Sequence, residues 1–191
     1  MRVSQAEYLA LPLEAHALLR GVPLHDVSAI DLPNGGGGRT LADAKRLFLA
    51  GGARRGIATR ALFAFRFFLG RIFGWDRPVS ERTYSDARVS DDLRRRSLVP
   101  PGTQEGLFRL LYELPNESVG EIRNATVHGF VCTTLVPRDG GYRFYFGVYV
   151  EPVSRWTALY MAAIEPFRRF IVYPAMLGRL RADWERAYPR P

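Results

Sequence analysis

The stretch that decides the fold is residues 106–150, GLFRLLYELPNESVGEIRNATVHGFVCTTLVPRDGGYRFYFGVYV. Residues 106–114 alternate with period two: Phe108, Leu110, Tyr112 and Leu114 share one face, and Arg109 and Glu113 lie on the other. Pro115-Asn116-Glu117 reads as a turn, and residues 119–136 then read as one long strand. Its apolar face carries Ala125, Val127, Gly129, Val131 and Leu135, while Asn124, Thr126, His128, Phe130 and Cys132 point the other way. Arg138-Asp139-Gly140-Gly141 is a hairpin turn by composition. The next strand gathers Tyr142, Phe144, Phe146, Val148 and Val150, with Arg143, Tyr145 and Tyr149 behind. Three strands joined by short turns make an antiparallel meander with one strongly apolar face.

Helices flank this meander. Downstream, Pro152 ends the last strand and Ser154 is a natural N-cap for a long final helix, which Pro166 and Pro174 should kink or split. Met161, Ile164, Phe167, Phe170 and Ile171 are its residues for covering the sheet, whereas 178–188 reads as a basic amphipathic end that packs loosely. Upstream, 24–32 reads as a short strand, followed by Pro33-Asn34 and glycines 35–38. That run lacks the G-x-x-x-x-G-K-[ST] spacing of a phosphate-binding loop and reads as a flexible connector. Thr40 and Asp43 then form an N-cap pair for a helix to about residue 50. A second helix spans 57–75, with Leu62, Phe65, Phe68, Leu69, Ile72 and Phe73 on one broad face. Phe63 and Phe67 lie on its basic side, either covered by neighbours or presented to a membrane surface or partner. Residues 76–104 are polar and irregular, with one helical turn from Ser90 to Arg96, and read as a lid or a loose loop. The resulting fold class is α+β. One domain over 1–191 packs a curved antiparallel sheet against a long kinked C-terminal helix, with two helices inserted after the first strand.

Composition narrows the function. In 191 residues the net charge is +8, yet Arg supplies 26 of the 27 basic residues and Lys45 is the only lysine. The arginines are spread along the chain among carboxylates, so nucleic acid is not an expected partner. One cysteine, Cys132, excludes an internal disulfide and a multi-cysteine zinc site. His16, His25 and His128 lie far apart without an H-x-x-x-H spacing, so no metal is expected. No secretory signal opens the sequence, and no window reaches the ~18 apolar residues of a membrane span. A cytoplasmic protein is the default.

Certain words of the sequence resemble a known family. Arg123-Asn124-Ala125-Thr126-Val127-His128-Gly129 is similar to the N-[RK]-T-V-H-[GA] strand of the bacterial family called domain of unknown function 2867. Residues 160–174, YMAAIEPFRRFIVYP, resemble that family's Y-M-x-x-I-x-P-F-[RH]-x-x-I-[VF]-x-P helix. Residues 69–76, LGRIFGWD, and 24–27, LHDV, resemble its N-terminal blocks, so the likeness covers roughly 15–184. Ala125 replaces a basic residue of that pattern and Ser28 an aromatic one. The element order is also similar to the helix-grip fold of the START and polyketide-cyclase-like (SRPBCC) superfamily. That likeness implies a small apolar or amphipathic ligand held between sheet and final helix, with no NAD or other cofactor.

Two sets of candidate residues follow. The ligand-binding set is Phe108, Leu110, Tyr112, Val127, Val131, Phe144, Phe146, Met161, Ile164, Phe167 and Arg168. The catalytic set is His128 as acid/base with Asn124 and a carboxylate, Glu113 or Glu121. The competing reading of the second set is the solvated side of a half-exposed sheet. Cys132 lies four positions from His128 on one strand, about 13 Å away, too far for a catalytic dyad.

Overall fold

Six strands form one antiparallel sheet in the order β1-β6-β5-β4-β3-β2. They are β1 (Leu24–Pro33), β2 (Thr103–Glu105), β3 (Phe108–Glu113), β4 (Glu117–Arg123), β5 (Val127–Arg138) and β6 (Gly141–Pro152). The computed structural model describes residues 3–53, 85–123, 127–152, 165–166 and 168–189. Helices α1 (Gln5–Leu9), α2 (Glu14–Leu18), α3 (Leu41–Ala53), α4 (Asp91–Arg96) and α5 (Tyr173–Ala187) flank the sheet. A 3-10 turn at Ser85–Arg88 precedes α4, and a π-helical turn at Arg168–Val172 leads into α5. The expected second helix, 57–75, lies outside the described residues, and Phe63 and Phe67 with it.

Three strand assignments differ from the alternation pattern. The expected long strand is two: β4 and β5 pair antiparallel from Glu117 opposite Thr134 to Arg123 opposite His128. The sequence between them, Arg-Asn-Ala-Thr-Val, holds no Gly or Pro, so no turn signal interrupts the alternation. Second, β2 arises where an irregular segment is expected, because three residues are too few to show a period. Third, β3 is bulged. Leu110 pairs with Gly120 and Tyr112 with Val119, so Leu111 is the extra residue and Tyr112 faces away from Leu110.

The larger correction concerns the sheet's second face, which is not solvated. On one side, Ile30, Leu32, Leu135 and the even-numbered residues of β6 pack on Leu41, Ala44 and Phe48 of α3 and on Tyr173, Leu177, Leu180 and Trp184 of α5. On the other, Val27, Tyr112, Val119, Phe130, Cys132, Tyr145 and Tyr149 meet Tyr8 of α1, Ala15 of α2, and Val89 and Leu93 around α4. The sheet is therefore the middle of three layers. Both faces of β6 are aromatic because both are buried. Of the expected lid, residues 85–96 belong to this second layer, with Val89 and Leu93 in the core, while Thr103 and Gln104 are part of β2.

Local chemistry fixes the flanking helices. The Thr40 backbone N–H donates to Asp43 Oδ2 (3.1 Å) and caps α3. Ser90 Oγ accepts from the Leu93 N–H (3.2 Å) and caps α4. Pro174 sits in the first turn of α5, where its missing donor costs nothing. Leu177, Leu180 and Trp184 recur on one face of α5 and are buried, so this end packs tightly rather than loosely. Trp184 Nε1 donates to the Pro33 carbonyl (2.9 Å). The glycine run is also clamped: Arg39 Nε donates to the Gly35 carbonyl (2.7 Å) and Tyr142 OH to that of Gly36 (2.8 Å). Gly35, at φ 93°, abuts the indole, and a Cβ there would lie 2.8 Å from Trp184 Cζ2. Among the described residues no helix is long and apolar enough to cross a membrane.

Candidate functional site

His128 lies where three strands meet. The ladder places it opposite Arg123 on β4 and Glu151 on β6, and Glu121, two pairs along β4, is next on the same face. Its Nε2 is 2.5 Å from Glu121 Oε1 and its Nδ1 is 2.6 Å from Glu151 Oε2. Arg123 Nη1 also reaches Nδ1, at 3.2 Å. Glu121 is fully buried and His128 is 1% exposed, whereas Glu151 is partly exposed and pairs with Arg88 Nη2 at 3.3 Å. Because Arg123 can only donate, its bond to Nδ1 and an Nδ1–H bond to Glu151 are alternatives set by where one proton sits. A buried imidazole between an inner and an outer carboxylate has the geometry to pass a proton between them.

Of the four candidate catalytic residues, the structure brings two together. Glu121 is the carboxylate beside His128. Glu113 is on the opposite face, where it accepts from Lys45 Nζ. Asn124 lies outside the described residues. The 3-10 turn closes over the same end of the sheet, with Asp86 Oδ2 2.6 Å from Arg109 Nη2.

Lys45 anchors a second buried charge cluster, on the α5 side. It is 5% exposed and pairs with Glu113 and with Glu105 Oε1 (2.7 Å), and it lies 3.3 Å from Ser118 Oγ. Ser118 Oγ in turn meets Thr133 Oγ1 at 3.0 Å. Three donors thus meet three acceptors, which makes Lys45 a strap between α3 and the β2–β4 edge and not a free amine nucleophile. Sequence reasoning missed this cluster. Its available signal was the single lysine among 26 arginines: a tetrahedral ammonium fits where a planar guanidinium does not.

The candidate ligand-binding residues divide as follows. Phe144 and Phe146 are buried on the α5 side, Val131 is partly buried against the same cluster, and Leu110 is buried opposite Gly120 on that side of the sheet. Phe108 lies on that side too, its Cβ 3.0 Å from where a Cβ on Gly120 would stand. Tyr112 faces the other layer because of the β3 bulge, and its OH donates to Glu117 Oε1 (2.5 Å). Arg168 Nε donates to Tyr173 OH (2.6 Å) at the entrance to α5. The Val127 side chain, Met161, Ile164 and Phe167 lie outside the described residues. Among the described residues no group of three or more His, Cys, Asp or Glu is arranged to hold a metal ion.

Fold and site together define an α+β protein with one curved six-stranded antiparallel sheet, a C-terminal helix across one face and a buried polar cluster on each face. The chain belongs to the family described as Protein of unknown function (DUF2867), whose model matches residues 18–175. The comparison with curated proteins finds no match.

Proposed function

We propose that this chain is a small-molecule binding module of the helix-grip type, holding an apolar or amphipathic molecule between the sheet and the C-terminal helix. The observation that carries this reading is a gradient of side-chain size on the α5 side of β5 and β6. At one end stand Tyr142, Phe144 and Leu135; at the other, Val148 opposite Val131 and Val150 opposite Gly129. On β4, Ile122 continues this face opposite Gly129, while Gly120 is covered by Phe108 and Leu110. Helix α5 fills the aromatic end, with the Trp184 ring 5.7 Å from Tyr142 and the Tyr173 ring 5.5 Å from Phe146. Glycines inside a strand commonly mark the close approach of a ligand or another backbone. The strand order and the helices between β1 and β2 and after β6 agree with a helix grip. Native mass spectrometry of the purified protein tests the reading. A co-purifying small molecule, released on unfolding, supports it; a bare chain that also takes up none of a panel of apolar molecules removes it.

A second reading, acid/base catalysis at His128, is favoured by the carboxylate at each ring nitrogen. Substrate would have to meet the partly exposed Glu151, since the imidazole and Glu121 are covered. Turnover in an ester and lactone screen that disappears in both Glu151→Gln and His128→Gln supports it. Equal turnover in wild type and variants removes it.

A further inference from the structure

The polar end of that ligand can be read from His25. Strand β1 pairs Leu24 with Tyr149 and Asp26 with Val148, so His25 is the extra residue of a bulge. Bulges re-aim the side chain they carry. His25 Nε2 is buried and has no hydrogen-bond partner among the described residues. Buried polar atoms are nearly always bonded, and one that is not calls for a physical reason. Burial holds the imidazole below its ordinary pKa of 6.5, and the nearby Arg168 charge acts in the same direction, against Glu165 and Asp26. Arg168 is itself anchored, its Nε on Tyr173 OH and its guanidinium 5.3 Å from the Tyr173 ring. Tyr173 in turn packs on Phe146. The start of β1 and the entrance to α5 thus converge beside Phe146 and Val148, at the small end of the apolar surface.

We infer that His25 is the hydrogen-bonding residue for the polar end of the ligand, and that this end is an uncharged hydroxyl of an alcohol or phenol. The inference rests on the binding reading above. It is chosen by elimination of charge. Charges of both signs surround the imidazole, Arg168 against Asp26 and Glu165. An anionic or a cationic head therefore meets one like charge for every attraction it gains and must also be desolvated, which costs a neutral head far less. A neutral imidazole nitrogen either donates or accepts, and a hydroxyl answers both.

Three probes with one ring system separate the possibilities: 2-naphthol, naphthalene and 2-naphthoate, titrated by fluorescence against the folded chain. The expected order has 2-naphthol about tenfold tighter than either of the others, roughly one hydrogen bond's worth. His25→Leu should lower 2-naphthol to the level of naphthalene and leave naphthalene within about twofold, a split that general loss of structure would not produce. His25→Gln, which keeps a donor and an acceptor, should retain the hydroxyl preference and serves where the leucine variant does not fold. Equal binding of 2-naphthol and naphthalene overturns the inference and leaves the binding reading standing, as does tightest binding of 2-naphthoate. Binding of none of the three overturns both.

Discussion

Glu121 Oε1 lies 2.5 Å from His128 Nε2, and both side chains are buried between the sheet and the layer formed by α1, α2 and α4. Read as one strand, the sequence puts Glu121 and His128 on opposite faces; the reversal between β4 and β5 brings them to the same face, which the flanking helices cover. Covered, the pair becomes a buried hydrogen-bonded contact, and removing one member is costly where removing an exposed polar group is not.

Replacing His128 by Ala should destabilise the fold by about 3–5 kcal/mol, because it strips Glu121 of its imidazole partner in a buried site. Glu151→Gln at the same ring should cost less than about 1 kcal/mol, since Glu151 is partly exposed. Urea unfolding of the two variants at neutral pH checks the contrast; equal losses would show that the site is open to water.

Glu117 gives a pH dependence. It is 1% exposed, and burial raises its pKa above 4.5, only partly offset by the hydrogen bond from Tyr112. A carboxyl with a raised folded pKa keeps its proton longer in the native state. Its contribution to stability is therefore present below pH 4.5 and is lost as pH rises through the folded value. Glu117→Gln should flatten the decline in stability on going from acid to neutral pH and exceed wild type at the upper end. Urea midpoints across that range measure it; an unchanged slope would remove Glu117 as the cause.

Lys45→Met should cost about 2–4 kcal/mol, because Glu105 and Glu113 then face each other without a cation. Lys45→Arg should recover only part of this, since a planar fork cannot meet the three acceptors that surround Nζ. Thermal melts of the two variants would rank them; an arginine variant as stable as wild type would contradict the geometric argument.

Cys132 is fully buried, and burial pushes its thiol up to about 12. It should be inert to thiol reagents near pH 8 and react at the rate of unfolding, because the thiolate is the nucleophile. Rapid labelling of the folded chain would contradict its placement beside Tyr8 and Tyr149.

The sequence carried the strands more clearly than the layers. Alternation located β1, β3 and β6, and Arg138 to Gly141 announced the β5–β6 hairpin through its glycines. The β4–β5 reversal stayed hidden because no breaker marks it. The β3 bulge stayed hidden because one extra residue, Leu111, leaves the composition unchanged while turning Tyr112 to the other face. The face carrying His128 reads as solvent-facing, since period-two patterning does not distinguish water from a second buried layer furnished with partners. Lys45 and His25 were missed for a related reason: the groups around them come from strands and helices remote in sequence.

The claim that the small end of the β5–β6 surface holds a ligand is tested most directly by titrating the chain with N-phenyl-1-naphthylamine, a neutral dye that fluoresces in apolar surroundings. Wild type should bind it saturably. Val131→Trp, which adds an indole opposite Val148, should weaken binding by about tenfold or more in a variant that still unfolds cooperatively. Absence of saturable binding by wild type, or equal binding by the tryptophan variant, would contradict a ligand site there.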